Sequence, residues 1–89
     1  MKKITLDFKD LYTPRQMHEY IAQMLEFPEY YGKNLDALYD CLTDICEETQ
    51  ITVMNYDILD YRENAMINTF LDAAEENDCL EVFTTHLPE

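Results

Sequence analysis

Tryptophan is absent from this 89-residue chain, glycine occurs once, as Gly32, and proline three times. So few backbone-freeing residues exclude a linker, a collagen-like repeat or a Gly/Ser-rich low-complexity chain. Bases are scarce as well: six Lys and Arg face nineteen Asp and Glu, for a net charge of −13. Such a surface repels phosphate backbones and anionic lipid, so no nucleic acid and no membrane is expected as a partner, and a basic protein is. No apolar run approaches the roughly 20 residues that a membrane-crossing helix needs. Cysteines are few and odd in number, Cys41, Cys46 and Cys79. Met1-Lys2-Lys3 runs straight into an alternating segment without a secretory leader pattern, so these read as reduced, buried thiols of a cytoplasmic protein. C-x4-C is not a zinc spacing, and His18 and His86 lie far apart in sequence with no nucleophile context around them. Neither metal, cofactor nor enzymatic activity is expected, and each lone histidine reads as a surface residue.

What is present is enough apolar material for one folded domain over residues 1–89: hydrophobic residues make up 47% of the chain, with seven Tyr and four Phe. A core of this size is thin and encloses no large cofactor. The acid is unevenly spread. Residues 26–48 hold seven acids and one base, and residues 57–89 nine acids and one base, whereas residues 1–25 are close to neutral.

Alternation over residues 3–8, with Ile4, Leu6 and Phe8 on one side, predicts a half-buried strand. Thr13-Pro14 with Gln16 forms a capping box and opens a helix whose stripe is Met17, Tyr20, Ile21 and Met24. This helix stops before Phe27-Pro28. After a short loop, Asn34 caps a second helix running to about Glu47 with Leu35, Leu38, Leu42 and Ile45 as its apolar face. Ile51–Met54 predicts a strand, Asp57 the cap of a single turn, and Asp60 with Glu63 a capping box. That box opens a helix carried by Met66, Phe70, Ala73 and Ala74 to a left-handed Asn77, and Leu80 to Thr85 is the last strand. Helical crossovers between strands imply parallel pairing. The fold class is therefore α/β, a three-stranded parallel sheet under one layer of about three to four helices.

The segment Glu29–Glu48 concentrates the unusual features. Gly32 predicts a left-handed backbone or a close approach that excludes a side chain. Asp36, Asp40 and Asp44 recur every four residues and Glu47 extends the same face, although like charges at that spacing destabilise a helix by about 0.2–0.5 kcal/mol per pair. Asp44, Glu47 and Glu48 also meet the negative end of the helix dipole. A solvated surface is the competing explanation in so acidic a chain. Tyr30, Tyr31 and Tyr39 stand around the stripe, however, and aromatics beside charge are typical of binding hot spots. Tyr31 itself reads as a core ring with its hydroxyl at the surface.

The run Phe27-Pro28-Glu29-Tyr30-Tyr31-Gly32-Lys33-Asn34-Leu35-Asp36-Ala37-Leu38-Tyr39-Asp40-Cys41-Leu42 resembles the central stretch of the barstar family of ribonuclease (barnase) inhibitors. The resemblance implies a three-stranded parallel fold and an intracellular inhibitor that forms a 1:1 complex with a basic secreted ribonuclease and is a monomer when free. It also implies that Tyr30, Gly32 and Asn34 lie against the enzyme and that Asp36 and Asp40 meet the basic groups that hold RNA phosphate, with Asp72 adding an acid from the last helix. Tyr39 stands where the family often has Trp, and Lys33 where an acid is common; Asp44 belongs to the same expected surface. These departures and the tail His86-Leu87-Pro88-Glu89, which lacks an aliphatic ending, distinguish this chain. The alternative is an immunity protein or antitoxin against a different basic nuclease.

Overall fold

Every second side chain of the first strand, Ile4 and Leu6, is buried, while Lys3, Thr5 and Asp7 face solvent, as the pleat requires of a strand covered on one side. This computed structural model describes residues 1–57 and 59–86. Its elements are β1 (Lys2–Asp7), α1 (Pro14–Leu25), α2 (Leu35–Thr43), β2 (Thr49–Tyr56), α3 (Tyr61–Glu76) and β3 (Leu80–His86). The strands pair in the order β1-β2-β3, both pairs parallel, with Ile4 opposite Ile51 and Ile51 opposite Val82. Inward residues of the sheet join Met17 and Ile21 of α1, Leu38 and Leu42 of α2, and Met66 and Phe70 of α3 in a single core. The opposite face, with Thr5, Glu81 and Phe83, is open. The expected sheet and helix layer are thus present, with three helices among the described residues.

Local rules explain most boundaries. Thr13 and Gln16 form the predicted capping box, the Gln16 carboxamide accepting from the Thr13 amide at 3.1 Å and the Thr13 hydroxyl from the Gln16 amide at 3.1 Å. Helix α1 ends on Glu26 in the left-handed conformation (φ 58°). Asp60 caps α3, accepting from the Arg62 amide at 2.9 Å, but its own amide donates to the Asp57 carbonyl at 3.1 Å and not to Glu63 as a full capping box requires. Glu63 is buried and its carboxylate instead accepts from the Asp57 amide at 3.3 Å. The Asp57 carboxylate in turn accepts from the Leu59 amide at 2.8 Å, and its carbonyl accepts from the Asp60 amide at 3.1 Å; Ile58 lies outside the described residues.

Three further expectations fail, the first for a reason remote in sequence. Helix α2 stops at Thr43, not near Glu47, because Asn77 gathers its terminal carbonyls. The Asn77 carboxamide donates to the carbonyls of Leu42 (3.0 Å), Thr43 (3.3 Å) and Ile45 (2.9 Å) and accepts from the Cys79 amide (2.9 Å). Glu47 therefore lies beyond the helix. Asn77 itself is extended (φ −125°), not left-handed. Nor are the thiols buried, since Cys46 is exposed and Cys41 and Cys79 are half-buried. The tail residues Leu87, Pro88 and Glu89, and the side chain of His86, lie outside the described residues.

Candidate inhibitor surface

Between α1 and α2 the chain makes one tight loop. The Glu26 and Phe27 amides both donate back to the Ala22 carbonyl, and the Tyr31 amide donates to the Pro28 carbonyl at 3.0 Å. Tyr31 consequently turns inward while Tyr30 stands 88% exposed. The hydroxyl of Tyr31 is not at the surface as expected: it lies 2.6 Å from Nδ1 of His18, a buried pair. His18 is therefore a core residue, contrary to the surface reading. Its imidazole is held below the ordinary histidine range by burial, and the Tyr31 phenol is pushed above its ordinary value by burial and then by Cys41 nearby.

Gly32 does not adopt a left-handed backbone; the left-handed residue is its neighbour Lys33 (φ 52°). What Gly32 provides is close approach, since a Cβ there would stand 3.3 Å from both Ala37 Cβ and Asn34 Nδ2. Asn34 caps α2, its Oδ1 accepting from the Ala37 amide at 2.8 Å while Nδ2 donates to the Gly32 carbonyl at 3.2 Å. Its amide is thus engaged within the loop and shapes the surface more than it projects from it.

From this cap α2 presents Asp36 and Asp40 to solvent, and Asp44, its C-cap, continues the row in a right-handed conformation. Leu38 and Leu42 are buried on the opposite face, so packing fixes which way the acids point. Tyr39 is half-buried against the core. Loop and helix together enclose an open groove of about 430 Å³ with Phe27, Pro28, Tyr30 and Gly32 on one side and Asp40, Cys41 and Asp44 on the other. The Cys41 thiol is pushed up by burial and further by Asp44 and Asp40, so it stays protonated and registers the negative field of the groove. Lys33 Nζ is 3.4 Å from Glu19 of α1, which Arg15 also engages at 2.9 Å. Tyr30, Gly32, Asp40 and Asp44 share the groove; Asn34 and Asp36 adjoin it at the start of α2. Asp72 is exposed on α3 but does not line the groove.

The arrangement is an acidic groove on α2 with the exposed ring of Tyr30 at its rim. Among the described residues no three His, Cys, Asp or Glu side chains gather as metal ligands, and no helix is long and apolar enough to cross a membrane. The family model for Barstar (barnase inhibitor) matches residues 1–84, and the chain belongs to that family. Over 43 residues the chain is 49% identical to the Bacillus subtilis (strain 168) protein named "Putative ribonuclease inhibitor YrdF". That match covers 48% of this chain and 47% of the relative, about half of each.

Proposed function

We propose that this protein inhibits a basic bacterial ribonuclease by seating the 27–44 loop and helix in the enzyme's active site as a 1:1 complex, acting as a monomer in the cytoplasm of the producing cell. The observation that supports this reading is the row of exposed Asp36, Asp40 and Asp44, of which Asp40 and Asp44 line one groove with the exposed Tyr30. A ribonuclease holds its polyanionic substrate with preorganised Arg, Lys and His donors. Carboxylates on a helix satisfy the same donors in charge-assisted hydrogen bonds and offer no bond to cleave. Asp40, which lines the groove, takes the place of a phosphate; Asp36 and Asp44 extend the anionic track, and Asp72 adds a peripheral acid from α3. The net charge of −13 hastens encounter with a basic cleft.

Titration of barnase with the pure protein tests the reading. Residual RNA cleavage is expected to fall linearly to an equimolar end point, with affinity weakening as salt rises. Asp40→Ala is expected to lose at least about 2 kcal/mol of binding, whereas Glu81→Ala, on the open sheet face, loses almost none. Equal losses at both positions reject the site.

Lys33 favours a second reading of the target. As the sole base among residues 26–48 it opposes a basic cleft, which fits an immunity protein whose enzyme carries an acid facing the Gly32–Asn34 turn. No inhibition of barnase, with capture of a basic deoxyribonuclease, would select that reading.

A further inference from the structure

Two adjacent residues of α1 reach across to the loop that carries Tyr30 and Gly32. His18 meets the Tyr31 hydroxyl at 2.6 Å, and Glu19 meets Lys33 at 3.4 Å, on either side of Gly32. The two ties differ in strength. Lys33 and Glu19 are both about half exposed, and Glu19 is shared with Arg15, so solvent and competition leave that ion pair weak. His18 and Tyr31 are 4% and 7% exposed, so their contact is shielded from water and removing one partner strands a buried polar group. The ring of Tyr31 is also wedged against Phe27, centroids 5.1 Å apart, which fixes the loop's inner side from two directions.

We propose that His18 is a positioning residue for partner binding: through the Tyr31 hydroxyl it fixes the loop in its binding shape before the partner arrives, so that Tyr30 and the Gly32 backbone already face outward. This rests on the inhibitor reading above and adds to it a residue that does not itself line the groove. With Tyr31 pinned inward, its neighbours on both sides have one way to point. Ordering the loop in advance removes an entropy cost from association, so releasing it weakens binding without removing any contact to the partner. The imidazole does this in its neutral form, one ring nitrogen sharing a single proton with the phenol oxygen.

The experiment combines amide hydrogen exchange in the free protein with barnase binding. Tyr31→Phe removes one oxygen and leaves the ring packing in place. It is expected to speed exchange at the amides of residues 31 and 37 about tenfold while that of Val53, in the central strand, stays within twofold, and to weaken barnase binding about tenfold. His18→Asn places an amide group where Nδ1 stands and is expected to recover most of the protection and affinity that His18→Ala loses. Val82→Ala, away from the loop, is the control for a general loss of stability and is expected to leave affinity unchanged. Unchanged loop exchange in Tyr31→Phe, or loop exchange rising in step with Val53, overturns the proposal, as does faster loop exchange with unaltered affinity. If the wild-type protein fails to bind barnase, the inhibitor reading fails for that enzyme, and the exchange pattern alone decides whether His18 sets the loop.

Discussion

Tyr30 and Tyr31 are consecutive in the chain and point in opposite directions, the first 88% and the second 7% exposed. One faces the solvent at the rim of the acidic groove and the other is part of the core. Their truncations therefore separate binding from folding. Tyr30→Ala is expected to leave the urea midpoint unchanged and to weaken binding to a ribonuclease by about 2 kcal/mol, the scale of an aromatic hot spot. Tyr31→Ala is expected to lower stability by about 3–5 kcal/mol, as large-to-small changes at buried aromatics do. Comparable stability losses in the two variants would show that the loop does not sort them this way.

Asn77 joins the end of α3 to the end of α2 through three carbonyls within 3.3 Å. Asn77→Ala removes a donor from each of those carbonyls, of which that of Leu42 keeps the Ile45 amide at 3.4 Å, and is expected to cost about 1–3 kcal/mol. Because Asp44 is the C-cap of the same helix end, amide exchange at Asp44 and Ile45 should rise more than at Leu38, which is bonded to Asn34 at the other end. A uniform rise along α2 would mean that Asn77 acts only through global stability.

Features set by neighbours within four residues were legible in the sequence. The Thr13–Gln16 box, the Asn34 cap, the alternation of β1 and the apolar rows of α2 and α3 are of this kind, and from them the sheet and its helical layer follow. The Asp36, Asp40 and Asp44 row was readable because Leu38 and Leu42 orient it. Legibility ended where a partner lies far along the chain. Asn77 terminates α2 from more than thirty residues away, and Tyr31 draws His18 into the core from thirteen. The same limit applies to Glu63, read as the second half of a capping box while its carboxylate serves Asp57. Of the two alternatives that Gly32 signalled, the close approach holds, a Cβ there crowding Ala37 at 3.3 Å, while the left-handed position fell on Lys33, which no propensity rule favours.

The buried His18 makes stability depend on pH in one direction. Its folded-state pKa lies below the unfolded value of about 6.5, so above that pH the ring is neutral in both states and its full contribution is present. As pH falls through that value and on through the folded-state pKa, the unfolded chain takes up the proton first and stability declines. Tyr31 and Arg62 lie nearby, and neither offers the imidazolium a counter-charge. Urea midpoints measured from pH 8 to pH 5 are expected to fall more steeply for the wild-type protein than for His18→Asn, so that the two curves converge on the acid side. Parallel curves would place the titration elsewhere.

Glu63 works with the opposite sign. Burial raises its pKa, the charges of Asp60 and Asp57 add to this, and the bond from the Asp57 amide and the nearby Arg62 oppose it. A folded-state pKa above the unfolded value of about 4.3 means that the folded chain binds the proton more tightly, so the contribution is complete below that pH and is lost as pH rises through the folded-state value. At neutral pH the carboxylate is a buried charge beside two others. Glu63→Gln keeps an acceptor for the Asp57 amide and removes that charge, so it is expected to raise stability at pH 7.5 by about 1 kcal/mol, the ordinary scale of a single substitution. The gain should vanish near pH 4, where the wild-type carboxyl is itself largely neutral. Denaturation of both proteins at the two pH values checks this: a loss of stability at pH 7.5 would mean that the charged form is held by Asp57 and Arg62 more strongly than burial penalises it.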